Sequence, residues 1–419
     1  MSPTLPLVAV VMALVMISSA LADVATHPFP GKVEADLWVL AGQSNMQGAG
    51  LITKKDKADS RIMMLTLGGK WIPATQPTHR LYDFPAPPVF KKKILEKNPA
   101  LTEEGYQSVV EAAKKTPLGG VGPDLFFAKH VLKYTGRHIG LIPCAMGGTS
   151  MAEWDPASKN EGTSSLYGSM LQRIADVGGG IKGLLWYQGE SDANPTLQAT
   201  FEKSFLNFVD SVRRDTGIPD LPIIYVQISR FCLENHDGDE PWEQIREHQR
   251  LAAGKRKNLY VVPAIDLPLD DLIHIGTAGQ ERLGRRMAEV ALGKVYGQDG
   301  HATTIDFQSY EMLPKIDDNH SRMRIRFSGV NGKLVSKGDP TGFQLRSDDP
   351  NRDGPCVFKV ELDPKDPASV IVWYTKPITR PARLYYGPGI DPYVNIVDSR
   401  DMAVPAFGPR AIAPESAGK

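Results

Sequence analysis

The sequence predicts a three-layer α/β/α fold on a parallel sheet, followed by a small β-sandwich. Two observations predict it. Short apolar runs alternate with stretches of helical periodicity as far as about residue 297, the pattern of parallel strands joined by crossover helices. From residue 300 onwards, short alternating runs such as Met323–Phe327 and Ser369–Tyr374 are separated by turn residues, and little helical periodicity remains. A chain of 419 residues accommodates both parts.

The first strand is Leu37–Gly42, an apolar run that stops at Gly42-Gln43-Ser44-Asn45-Met46. Residues 51–121 are rich in Lys, Pro and Gly and read as an irregular insertion over the sheet edge with one short helix; Lys91-Lys92-Lys93 reads as a solvated loop face. A helix over Leu125–Leu132 leads to a strand at His138–Cys144, and a helix over Leu166–Val177 to a strand at Ile181–Tyr187. A helix over Leu197–Thr216 then precedes a strand at Leu221–Ile228. Another over Glu240–Gly254 precedes a strand at Leu259–Pro263, and the last helix carries Ala278–Ala288.

At the amino terminus, Leu5–Ile17 is apolar and Ser18-Ser19-Ala20-Leu21-Ala22 supplies an A-x-A cleavage pattern. Residues 1–22 therefore read as a signal peptide cut after Ala22, which implies a secreted or periplasmic protein with no membrane contact once cleaved. Lys+Arg and Asp+Glu each number 48, so there is no basic footprint for nucleic acid. Cys144, Cys232 and Cys356 are odd in number without a C-x-x-C, and read as buried free thiols. No metal-ligand pattern is present, and nothing in the sequence sets an oligomeric state.

Each conspicuous polar cluster follows a predicted strand, and the ends of parallel strands converge on one rim, where open α/β sheets bind ligands. Ser44 is placed there as a nucleophile. Asp271 stands three residues before His274, a spacing that can hold the imidazole tautomer while its other nitrogen faces the serine. The Ser44 N–H, the N–H groups of Gly147 and Gly148 and the Gln188 amide are candidates for an oxyanion hole. Asn45 and Glu190 stand in supporting places. Trp154 and Trp186 read as core. The absence of G-x-S-x-G disfavours an ordinary α/β-hydrolase.

Gly42–Met46, Gly147–Ser150, Trp186–Asp192 and Asp271-x-x-His274 together resemble the blocks of the SGNH-hydrolase superfamily. More narrowly they resemble its sialate O-acetylesterase branch, which is related to the family 6 acetylxylan esterases and carries a Gln in a Q-G-E motif, as at Gln188. The resemblance spans residues 33–297, implying a flavodoxin-like esterase domain, with residues 300–419 as a β-rich accessory domain. It continues weakly through Gly332–Val335 and Pro340–Leu345, and the tail departs from the pattern between Leu384 and Pro409. It implies a cofactor-free serine esterase that removes O-acetyl groups from carbohydrates, with Ser44 as nucleophile, His274 as base then acid, and Asp271 as orienter. Deacetylation of xylan or another polysaccharide is the alternative, and a carbohydrate-binding protein without catalysis is a second. A small acyl pocket bounded by Gly147, Gly148, Met46 and Met151 is expected.

Overall fold

A computed structural model describes residues 27–414, apart from 32, 54–56, 84, 234–237, 318 and 350–353. The proposed signal peptide and its cleavage point lie outside the described residues. The central sheet contains β1 (Ala35–Gly42), β2 (Ile62–Leu65), β3 (Trp71–Pro73), β4 (His138–Pro143), β5 (Ile181–Tyr187), β6 (Ile223–Gln227) and β7 (Leu259–Pro263). Its helices are α1 (Ser44–Gln47), α2 (Pro88–Lys97), α3 (Glu103–Lys115), α4 (Asp124–Thr135), α5 (Leu166–Asp176), α6 (Phe201–Thr216), α7 (Glu240–Ala252) and α8 (Thr277–Lys294).

Strand order is β3-β2-β4-β1-β5-β6-β7, with every pair parallel except β2–β3. β1 is covered on both faces, which is why its sequence from Leu37 onwards is continuously apolar rather than alternating. Because β1 lies between β4 and β5, the chain leaves it towards one side of the sheet and later returns to the other. The crevice beyond the end of β1 is therefore a topological switch point.

The insertion differs from its predicted form. Instead of an irregular segment with one helix, residues 51–121 supply two strands and two helices. β2 extends the parallel sheet through Ile62↔Ile139, and β3 turns back against it. These strands have four and three residues, too few for a period to show. The helices did carry readable signals: Pro88 in the first turn of α2, and at α3 the Thr102 cap, which accepts from the Gly105 N–H, with Glu103 and Glu104 following. Lys91–Lys93 accordingly lie on α2, paired with Glu103, Glu96 and Glu153, and not on a loop.

The antiparallel strands that follow are β8 (Asp306–Asp317), β9 (His320–Ser328), β10 (Leu334–Ser336), β11 (Phe343–Ser347), β12 (Val357–Leu362), β13 (Ser369–Tyr374), β14 (Ala382–Tyr386), β15 (Ile396–Asp398) and β16 (Phe407–Ile412). They form sheets in the orders β12-β13-β9-β8, β11-β14-β16 and β10-β15. β9 alternates buried and open residues, and Phe327 and Phe307 meet Phe407 of the facing sheet at ring distances of 6.3 and 5.0 Å. Of the three cysteines, all free, only Cys144 is buried; Cys356 is exposed. None of the described helices is long and apolar enough to cross a membrane.

Candidate active site

β1 ends at Gly42, whose φ of 123° and close approach to the Tyr187 carbonyl leave no room for a side chain. The Gln43 N–H donates to the Tyr187 carbonyl at 2.8 Å, and the Gln43 carbonyl accepts from the Met46 and Gln47 N–H groups at 2.9 Å each. This single turn, α1, lifts Ser44 out of the sheet into the crevice and leaves first-turn N–H groups outside helical bonding.

The loop after β7 brings Asp271 and His274 to the same place. Asp271 Oδ1 accepts from the Ile273 and His274 N–H groups at 2.8 and 2.7 Å, closing a tight turn. Its Oδ2 lies 2.7 Å from His274 Nδ1, and His274 Nε2 lies 2.9 Å from Ser44 Oγ. The tautomer that satisfies both contacts has Nδ1–H donating to Asp271 and Nε2 accepting from the serine hydroxyl. Burial pushes the Asp271 carboxyl up, but the two backbone N–H groups and the imidazole outweigh it and hold it below its ordinary value. Asp271 stays anionic beside a ring that must gain a proton if the serine is to attack.

Asn45 fastens the two halves of this arrangement. Its Oδ1 accepts from the Ile275 N–H at 2.9 Å, and its Nδ2 donates to the Ile273 carbonyl at 3.3 Å and to Glu190 Oε1 at 2.8 Å. Gln280 adds a bond to the Asn45 carbonyl at 3.2 Å. Glu190 is buried, its second oxygen lacks a hydrogen-bond partner, and desolvation raises its pKa. The carboxylate that holds His274 Nδ1 is thus Asp271, with Glu190 serving Asn45.

The expected oxyanion hole is corrected at Gln188. This side chain is wholly buried, and its amide donates to the Thr149 carbonyl at 3.0 Å and to Asp192 Oδ2 at 2.5 Å. Both amide hydrogens are engaged away from Ser44, because the loop after β4 needs them to join Thr149 to Asp192. Gly147 and Gly148 do reach the site. A Cβ on Gly147 would lie 3.2 Å from Gln47 Oε1 and 3.3 Å from Ser44 Cβ, so any side chain there would press on the nucleophile. The Gly147 N–H donates to Gln47 Oε1 at 2.8 Å, so an oxyanion would share it, whereas Gly148 stands beside it with φ of 63°.

A cavity of about 480 Å³ opens over Ser44 and His274. Its apolar wall is Leu81, Tyr82, Ile94, Met146 and Ile273, and its polar groups include Gln43, Gln47, Lys97, Asn98, Glu190 and Ser191. Met46 and Met151, expected to bound the acyl pocket, are instead buried in the core and are not among the lining residues. Trp154 and Trp186 are core as read, edge to face at 5.2 Å. Sequence reasoning missed Leu81, Tyr82, Ile94, Lys97 and Asn98, all from the insertion taken as irregular. Gln47 was findable, since it lies three residues after Ser44 on one helical turn.

Lys97 ends α2, and its ammonium donates to the Gly147 carbonyl. Lys93 takes the nearby Glu96 and Glu153; among the described residues no carboxylate comes within ion-pair reach of Lys97. Desolvation lowers its pKa.

Residues 34–293 match the family described as carbohydrate esterase, sialic acid-specific acetylesterase. A probable carbohydrate esterase of Arabidopsis thaliana is 32% identical over 267 residues, 61% of this chain and 90% of that protein. The sialate O-acetylesterase of Pongo abelii is 24% identical over 269 residues, 55% of this chain and 47% of its own length. Among solved structures, a carbohydrate acetylesterase from Xanthomonas citri superposes with a TM-score of 0.64 at 21% identity, covering 89% of this chain and 80% of that one, a likeness of fold. The chain belongs to the carbohydrate esterase, sialic acid-specific acetylesterase family, and is a carboxylic ester hydrolase.

Proposed function

We propose that the chain removes O-acetyl groups from carbohydrates by acyl transfer through Ser44, and that it acts outside the cytoplasm after cleavage at Ala22. The observation that carries the chemistry is the hydrogen-bonded series Ser44–His274–Asp271, with contacts of 2.9 and 2.7 Å. Ser44 Oγ attacks the acetyl carbonyl as Nε2 of His274 takes its proton, and the imidazolium forms against the Asp271 carboxylate. The tetrahedral oxyanion is met by the Ser44 N–H and by N–H groups of the Gly147–Gly148 turn. His274 returns the proton to the departing sugar oxygen, leaving an acetyl-serine. Water, activated by the same imidazole, then releases acetate and restores the hydroxyl.

The cavity supports an acidic sugar over a neutral one. Lys97 presents an ammonium whose bonded partner is a neutral carbonyl, leaving two N–H groups for a carboxylate on the substrate. Release of acetate from an O-acetylated sialic acid, from acetylated pectin and from acetylxylan tests both parts. Acetate from the acidic substrates, with a markedly higher KM in Lys97→Met, is the expected result. Acetylxylan as the best substrate would overturn the acidic reading, and no acetate from any of them would overturn the function. Intact Met1 in exported material would overturn cleavage at Ala22.

A further inference from the structure

The tail carries none of the residues around Ser44, yet one of its turns is connected to the turn that bears His274. The connection is a strap, residues 229–232, that leaves the end of β6. At one end of it the Phe231 N–H donates to the Ile390 carbonyl at 3.0 Å, and Arg230 Nη1 pairs with Asp391 Oδ1 at 2.6 Å. Arg246 of α7, buried and lying over the Trp242 ring, locks this junction. Its Nε and Nη2 donate to the Ser229 carbonyl at 3.2 and 2.7 Å. Nη1 donates to the Gly389 carbonyl at 2.5 Å and Nη2 to the Ile390 carbonyl at 3.0 Å. Tail turn and strap are therefore gripped by one guanidinium, whose planar fork a lysine cannot reproduce.

At its other end the strap reaches the site. The Cys232 N–H donates to the Leu272 carbonyl at 2.8 Å, and Leu272 lies between Asp271 and His274. The Leu272 side chain is 56% exposed, and the backbone bond from Cys232 ties the strap to a turn that is closed within itself by Asp271 and by the Asp270 N–H donating to the His274 carbonyl at 2.9 Å. Asn45 holds the same turn from the Ser44 side.

We infer that the tail turn Gly389–Asp391, acting through Arg246 and the strap, positions His274 against Ser44. Arg246, Arg230 and Asp391 are positioning residues, and the tail is part of the esterase machinery as well as a neighbour to it. Ordinary packing between the two parts would add stability without changing turnover per folded molecule. A tether ending two residues from His274 changes turnover itself, because a displacement of about 1 Å at a reacting group can cost about a hundredfold.

The inference rests on the Ser44–His274–Asp271 reading, and its test is separable from that reading. Full-length Arg246→Lys, Asp391→Ala, Arg230→Ala and Arg230→Lys are compared with wild type on a small chromogenic acetyl ester, with the folded fraction measured for each. Arg246→Lys is expected to lose roughly ten- to a hundredfold in kcat, and Asp391→Ala and Arg230→Ala about threefold to tenfold, with KM unchanged. Arg230→Lys should retain most of the wild-type kcat, since it keeps the charge facing Asp391. Should Arg246→Lys not fold, Asp391→Ala decides, because that carboxylate is 39% exposed and an exposed ion pair is worth little to stability. Wild-type kcat per folded molecule in Asp391→Ala and Arg230→Ala would overturn the inference, as would a change confined to melting temperature. Inactive wild-type enzyme would instead overturn the serine-esterase reading.

Discussion

Among the described residues the same local device occurs twice. Asp271 and His274 are three residues apart, and so are Asp317 and His320. In both turns the Asp Oδ1 accepts from the backbone N–H two residues on at 2.8 Å, and the imidazole Nδ1 contacts the carboxylate at 2.7 Å. Both Asp carboxyls are held below their ordinary value: Asp317 chiefly by its imidazole, Asp271 by its backbone and imidazole bonds against the upward push of burial. The difference lies at the far nitrogen. His320 joins β8 to β9 with its side chain half exposed and its ring edge-on to Phe358, whereas His274 is 26% exposed and meets Ser44 Oγ. An Asp-x-x-His turn is thus a matter of local geometry, and what it does depends on where the fold delivers it. At the copy on the carboxyl rim of the parallel sheet, that nitrogen meets a serine hydroxyl.

The largest expected effect comes from breaking the pair at the rim. Ser44→Ala and His274→Ala should each lower kcat by roughly 10⁴-fold or more, with the double variant scarcely worse, since the residues act as one unit. His320→Ala should leave kcat unaltered, and steady-state rates on one acetyl ester decide between the two turns. Asp271→Asn comes next. It keeps the ring but removes its anionic acceptor, so a loss on the order of 10³- to 10⁴-fold is expected, while Asp317→Asn costs nothing in turnover. Equal losses in both Asn variants would mean that the shared turn acts through folding.

Gln188→Ala sharpens the account of the rim itself. With both amide hydrogens spent on Thr149 and Asp192, its removal strands buried acceptors at a cost of about 1–3 kcal/mol in unfolding free energy. Turnover of the folded enzyme should fall by less than about tenfold, whereas a loss of a hundredfold or more would return Gln188 to the oxyanion hole. The smallest effect is expected at Glu289, where α8 meets the start of the tail. Burial alone would raise this carboxyl, but His130, the Ala302 N–H and His301 outweigh it and bring it to about 2. A depressed folded value means that its contribution is complete above the unfolded value of about 4.3 and is lost as pH falls towards about 2. Glu289→Gln should therefore flatten the acid limb of melting temperature against pH in that interval, leaving turnover at neutral pH unchanged.

What the sequence disclosed, and what it hid, follows the same division between local and distant. β5 and β7 were legible to the residue because buried parallel strands are apolar along nearly their whole length. That Ser44, Asp271 and His274 would meet was legible because each sits in a short, ordered block beside a strand end. The amide of Gln188 was misdirected because its direction depends on Asp192 and on the Thr149 carbonyl across the loop, which no spacing reveals. β2 and β3 were hidden because four and three residues are too few to show a period, and α2, though its Pro88 was readable, gave no sign that it would wall the cavity. The strap's links to Ile390 and Leu272 include backbone bonds between residues far apart in sequence, to which side-chain identity gives no clue.

The most direct test of the central claim is to catch the acyl group on the chain. Wild-type enzyme mixed with excess p-nitrophenyl acetate and acid-quenched within the first turnover should gain the mass of one acetyl group, and peptide mapping should place it on Ser44. His274→Ala should show no acetylation on that timescale. An acetyl group found on another residue, or rapid turnover by Ser44→Ala, would contradict the account.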